Sequence, residues 1–225
     1  MGKITVETCK IEGLKVITPT VFGDARGYFM ETYQYEDFKT AGIDVVFVQD
    51  NQSASKKGVL RGLHFQINHP QDKLVRVIKG EVYDVAVDLR KESPTFGQWY
   101  GVLLSEENKK QFFIPKGFAH GFLVLSDYAE FCYKCSDFYH PNDEGGLAYN
   151  DPDIGVDWPI PEEMELIMSD KGKMMTMMKF SSGATLHMPE AMVSILPERL
   201  IKRLKILWMT VTAGRRRCCL ITVMF

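Results

Sequence analysis

Leu74–Ile78 and Val82–Leu89 are two runs rich in β-branched residues on either side of a Lys79-Gly80 turn, and this pattern predicts a β-hairpin. Side chains alternate along a strand, so Tyr83, Val85, Val87 and Leu89 share one face while Val82, Asp84, Ala86 and Asp88 share the other. A face with two carboxylates among apolar residues is either solvated or lines a polar cavity, and periodicity does not choose between them. Further short strands are predicted at Trp99–Leu104, Gln111–Ile114, Gly121–Leu125 and, after a Ser126-Asp127 turn, Glu130–Lys134. Others fall near Val16–Pro19, Gly27–Tyr33 and Phe47–Asn51, and Glu36–Ala41 is the best helix candidate. Many short strands punctuated by Gly and Pro, with little helix, predict an all-β sandwich or barrel.

At 225 residues and 45% hydrophobic, the chain can bury one good core. Residues 1–20 lack a cationic start followed by an apolar run, and no stretch approaches the ~20 apolar residues of a membrane span. A cytoplasmic protein is expected, with no membrane or nucleic-acid partner. Cys9, Cys132, Cys135, Cys218 and Cys219 are odd in number and poorly spaced for a disulfide framework, and no structural zinc site is expected. The net charge of −2 hides a split: residues 171–225 carry ten Lys and Arg against two acids, Glu190 and Glu198. Methionine divides in the same way, since only Met1 and Met30 of the 12 precede Met164. Such asymmetry sets the tail apart from the body. Within it Leu200, Ile201, Leu204, Leu207 and Trp208 share a helical face against Arg199, Lys202, Arg203 and Lys205. That pattern reads as a basic amphipathic helix or as an accident of a non-native extension.

Two segments carry chemistry. In Arg61-Gly62-Leu63-His64-Phe65-Gln66 an arginine lies three residues before a histidine, and Lys73 follows within ten. Guanidinium and ammonium groups converging on one pocket suit a phosphate-bearing ligand, and a neighbouring histidine can act as a general base near neutral pH. Taken alone, an apolar-flanked histidine is more often a core residue. In Ile114-Pro115-Lys116-Gly117-Phe118-Ala119-His120-Gly121-Phe122 the P-x-G-x-x-H run resembles the second motif of the cupin fold. Metal-binding cupins pair it with an H-x-H strand. Here Gln66 follows His64, and His69, His140 and His187 are poorly placed to substitute, so no metal is expected.

Taken in order and spacing, VFGDARGYFMETY, FVQDNQS, VLRGLHFQ, KLVRVIKGEVYDVAVDLRKESPTFGQW, IPKGFAHGFLVLSDYAEFCYK and EGGLAYNDP with its following DWP make residues 3–171 resemble a dTDP-4-dehydrorhamnose 3,5-epimerase. The resemblance implies a cupin-type double-stranded β-helix, or jelly-roll barrel, with few short helices. It also implies a homodimer, no cofactor, and a dTDP-4-keto-6-deoxy sugar as substrate. His64 would remove the C3 and C5 protons, Tyr133 would return protons on the opposite face, and Lys73 would stabilise the enolate. Arg61 and His120 would surround the sugar and diphosphate. Arg26, Glu31, Gln49, Asn51, Glu144 and Lys171 match ligand-binding positions, and Tyr139 matches an aromatic that stacks on thymine. A single-site 3- or 5-epimerase on a related sugar, or a catalytically impaired sugar-nucleotide-binding cupin, would share the same scaffold.

The chain departs from the family at one informative place. The family pairs its base histidine with the aspartate of an S-x-K-D segment, whereas this chain reads Ser169-Asp170-Lys171-Gly172. Asp170 is two residues early, about 7 Å away if the segment is extended. Asp84 is the other carboxylate available, if its strand face lines the barrel. Departure begins where composition turns basic, so residues 1–171 are read as the epimerase domain and 172–225 as an atypical extension.

Overall fold

The computed structural model describes residues 4–173, 179–180 and 186–187. The expected tail helix over residues 198–208 lies outside them. In chain order the strands are β1 (Ile4–Thr8), β2 (Lys15–Pro19), β3 (Phe22–Asp24), β4 (Gly27–Phe29), β5 (Gln49–Lys56), β6 (Leu60–Gln66) and β7 (Lys73–Lys79). They continue as β8 (Glu81–Asp88), β9 (Trp99–Ser105), β10 (Gln111–Ile114), β11 (Phe118–Val124), β12 (Tyr128–Cys135) and β13 (Glu144–Gly146), with two-residue strands at Lys179–Phe180 and Leu186–His187. Helices are confined to α1 (Tyr35–Thr40) and α2 (Asp170–Lys173) among the described residues.

Two antiparallel sheets face each other, as a jelly roll requires. One has six strands in the order β1-β2-β10-β7-β12-β5, and the other five in the order β13-β6-β11-β8-β9. The expected hairpin at Lys79-Gly80 is therefore corrected. Strand β7 pairs with β10 and β12, whereas β8 pairs with β11 and β9. The turn carries the chain from one sheet to the other. Gly80 (φ +76°) is required there, because a Cβ would lie 2.1 Å from the Tyr128 carbonyl. Turn chemistry specifies a reversal, but not which sheet receives the next strand.

Apolar residues on both faces of the central strands follow from this architecture. Val75, Val77, Val82, Ala86, Phe112, Phe122 and Phe131 fill the space between the sheets. Leu63, Val85, Val87 and Leu123 point out of the five-stranded sheet and are covered by Leu147, Ile154 and Trp158 of the segment after β13. On the other outer surface Ile17, Leu74 and Phe113 pack against Phe38 of α1 and Ile43. The side chain of Gln34 caps α1 by accepting from the Asp37 amide at 2.8 Å.

Cys132 and Cys135 have C-x-x-C spacing, but on a strand positions three apart face opposite sides and cannot close on one metal or each other. Both thiols are free. The strand near Gly27–Tyr33 shrinks to β4, which pairs with β3 in a separate two-stranded ribbon. There Phe22, Tyr28 and Phe29 are all more than half exposed.

Candidate active site

A cavity of about 690 Å³ opens between the sheets, lined from both. On the six-stranded side, register places side chains in rows across three strands. Lys73 of β7 is level with Cys135 of β12, which is level with Gln49 of β5. One step along, Val75, Tyr133 and Asn51 make the next row. Alternation sends Lys73, Tyr133, Cys135, Gln49 and Asn51 inward, and all five line the cavity. Gln49 Nε2 donates to Asn51 Oδ1 at 2.9 Å, which fixes the pair at the rim.

On the five-stranded side Arg61 and His64 also line the cavity, although residues three apart on a regular strand would face opposite ways. A bulge resolves this. His64 is level with His120 and Arg61 with Phe122, so two residues of β6 oppose the single Gly121 of β11. The bulge needs glycine on both strands. A Cβ on Gly62 (φ +133°) would lie 2.4 Å from the Gly121 Cα, and one on Gly121 would lie 2.7 Å from the Arg61 carbonyl. R-G-L-H and H-G-F are thus the local cause of the site: Leu63 turns out into the outer core while Arg61 and His64 turn in. Arg61 Nε reaches across to Ser55 Oγ of the opposite sheet at 3.2 Å.

Each histidine of the site meets a carboxylate. His120 Nε2 lies 2.9 and 3.0 Å from the two oxygens of Asp84, which is fully buried. The β8 face that sequence left open between solvent and cavity is therefore interior. Asp84 serves His120, not His64. His64 Nδ1 instead lies 3.2 Å from Glu144 Oε1. Asp170 is exposed on α2 and does not line the cavity, whereas Gly172 does.

Burial sets the protonation of the remaining groups. It pushes the Lys73 ammonium below its ordinary range, partly offset by Cys135, Asp84 and Glu144. It pushes the Tyr133 hydroxyl up, with Cys135 adding to the rise and Arg61 opposing it. Tyr133 therefore keeps its proton at neutral pH. The Cys135 thiol is raised by burial against the pull of Lys73. Cys135 was not singled out from sequence, yet its parity with Tyr133 on one strand was the signal that places it here. Among the described residues, no cluster of three His, Cys, Asp or Glu is arranged to hold a metal ion.

Tyr139, about half exposed, sits at the mouth, its amide donating to Gln49 Oε1 at 3.0 Å and its hydroxyl to Glu144 Oε2 at 3.3 Å. Gln66 joins the loops behind it, donating to the carbonyls of His69 and Phe138 and accepting from the His140 amide. Arg26 and Glu31 are not brought to the cavity. Arg26 is at the tip of the β3–β4 ribbon, 90% exposed and forked onto Asp24. The Lys171 side chain lies outside what is described.

The geometry can be set beside known proteins. The profile of the dTDP-4-dehydrorhamnose 3,5-epimerase family matches residues 8–179. An epimerase of that name from Methanothermobacter thermautotrophicus is 56% identical over 163 residues, covering 72% of this chain and 88% of the relative. The Escherichia coli K12 enzyme is 54% identical over 164 residues, covering 72% and 88%. The crystal structure of a Legionella pneumophila dTDP-6-deoxy-D-glucose-3,5-epimerase in complex with dTDP-4-keto-L-rhamnose superposes with a TM-score of 0.75 at 52% identity, over 77% of this chain and 92% of that one. By its sequence, its jelly roll and the residues gathered between its sheets, the chain belongs to the dTDP-4-dehydrorhamnose 3,5-epimerase family.

Proposed function

We propose that this chain epimerises dTDP-4-dehydro-6-deoxy-D-glucose at C3 and C5, giving dTDP-4-dehydro-L-rhamnose for dTDP-L-rhamnose synthesis. The observation that carries the reading is that His64 and Tyr133 line one cavity from opposite sheets. Inversion requires a proton to leave one face of a carbon and another to arrive on the opposite face, and two groups on facing walls meet that need. The C4 ketone acidifies both neighbouring carbons. His64 takes the proton, and the Lys73 ammonium, lowered by burial and so a strong donor, stabilises the enolate oxygen. Tyr133, whose hydroxyl stays protonated, delivers the proton to the other face. Arg61 holds the diphosphate and His120 the sugar, Gln49 and Asn51 line the nucleotide end, and Tyr139 stacks on thymine. No redox cofactor enters, because the ketone is already present.

Arg26 and Glu31 belong to this reading through a homodimer. The ribbon tip carries Arg26 among the exposed Phe22, Tyr28 and Phe29, an apolar surface that a second copy would cover. Such pairing would bring Arg26 to the partner's cavity. The catalytic domain ends near residue 171, and removal of residues 188–225 is expected to leave turnover within about twofold. We place the enzyme in the cytoplasm, where its nucleotide-sugar substrate would be made.

The test is incubation with the 4-keto sugar nucleotide in D₂O. Deuterium at both C3 and C5 with inverted product supports the reading. Exchange at one carbon indicates a single-site epimerase, and binding without exchange indicates an impaired sugar-nucleotide-binding protein. Tyr133→Phe separates the two proton transfers: exchange is expected to persist while inversion falls about 100-fold.

A further inference from the structure

An epimerase of this design needs a carboxylate behind its base, and Gly172 occupies the position where the family segment carries one. We infer that Glu144 is the positioning residue for His64, an assignment that rests on the proposed epimerase reaction. Register brings the two together. Gly146 of β13 is level with His64 and Glu144 with Gln66, so Glu144 is the diagonal neighbour of His64 on the same face. Glu144 Oε1 lies 3.2 Å from His64 Nδ1, with the two side chains 15% and 29% exposed. The other oxygen, Oε2, accepts from the Tyr139 hydroxyl at 3.3 Å, which orients the carboxylate. A carboxylate beside Nδ1 favours the tautomer whose proton is on that nitrogen, and in that tautomer Nε2 is the basic atom.

The other carboxylates do not compete. Asp84 has both oxygens on His120, and Asp170 stands exposed on α2 away from the cavity. Among the described residues, the other charged or titratable groups lining the site are Arg61, Lys73, His120, Tyr133, Cys135 and Tyr139, and none of them is a carboxylate. The His64–Glu144 approach has the distance of an ion pair but not the angle of a hydrogen bond. Proton abstraction creates an imidazolium, and that charge strengthens the contact in the step where it is needed. The site also keeps room for the family's solution. Among the described residues, a Cβ on Gly172 would meet nothing closer than Ser169 Oγ at 3.4 Å and Met168 Cβ at 3.7 Å, and Gly172 lines the same cavity.

Glu144→Gln tests the assignment, since it removes the charge and keeps the shape. kcat is expected to fall about 100-fold with KM changed less than about threefold. The acid limb of kcat/KM should move down by about 1 pH unit, because the lost carboxylate favoured the imidazolium. The ¹⁵N titration of His64, assigned with His64→Asn, should fall in the same way without any substrate present. Adding Gly172→Asp to Glu144→Gln should recover at least about tenfold of the lost kcat. A loss confined to KM, an unmoved His64 titration, or a double variant as slow as Glu144→Gln alone overturns the assignment. If the unaltered protein exchanges no deuterium, the epimerase reading has failed, and the imidazole titration still decides whether Glu144 governs His64.

Discussion

His64 and His120 are level with one another on adjacent strands, yet their surroundings differ in a way that separates chemistry from framework. His120 is 8% exposed and has both oxygens of the fully buried Asp84 at 2.9–3.0 Å. His64 stands nearer the mouth, its side chain 29% exposed, with one oxygen of a partly exposed glutamate at 3.2 Å. A buried carboxylate with both oxygens on one imidazole nitrogen is held rigidly in the wall of the cavity. A partly solvated imidazole with one loosely held nitrogen can accept a proton and release it. In the proposed reaction the moving proton therefore belongs to the more exposed His64, and the His120–Asp84 pair belongs to the fixed wall of the cavity.

The sharpest way to break this comparison is to remove each histidine's function separately. His64→Ala is expected to abolish deuterium exchange at both C3 and C5, lowering kcat by about 10⁴-fold, while urea unfolding shifts by less than about 1 kcal/mol. Retained exchange would remove His64 as the base. Asp84→Ala should behave in the opposite sense. It leaves His120 buried without its carboxylate, so stability should fall by about 3–5 kcal/mol, measured by urea unfolding. If Asp84→Ala unfolded like the unaltered protein, the His120–Asp84 pair would lose its structural role.

The same pairs show how far the sequence could be read. His64 and His120 were legible because each sits in a short motif whose glycines have a local purpose: Gly62 and Gly121 make the close crossing and the bulge. Strand β10 was legible to its ends because its four residues alternate between two buried faces. The partners of the histidines were not legible. Asp84 meets His120 through the β8–β11 ladder, and Glu144 meets His64 through β6–β13, pairings 36 and 80 positions apart that no local pattern encodes. The same reason explains the misread hairpin, since Lys79-Gly80 specifies a turn whichever sheet comes next. Arg26 matched a ligand-binding position by resemblance, and its distance from the cavity depends on how the β3–β4 ribbon projects.

Asp84 and Asp88 sharpen the comparison at its smallest scale, because they share one face of β8 and depart in opposite directions from an ordinary carboxylate. Burial raises Asp84, against the pull of His120 and Lys73. Burial would raise Asp88 as well, but hydrogen bonds from Arg90, Ser93 and Thr95 outweigh it and hold the carboxyl at about 2. Those bonds run at 2.6–2.9 Å from the Arg90 amide and guanidinium and from both hydroxyls. The sign follows from which state binds the proton more readily. The unfolded chain protonates Asp88 first, so its contribution is complete above about pH 5 and is lost as pH falls through about 4 towards 2. The drop from 3.8 corresponds to roughly 1–2 kcal/mol, after allowing for solvent around the 32% exposed Arg90 side chain. Asp88→Asn should therefore lower stability at pH 7 by about that amount, and the deficit should shrink as urea unfolding is repeated towards pH 2.5. A deficit that stayed constant with pH would show that Asp88 acts through packing and neutral hydrogen bonds, and that its charge adds nothing.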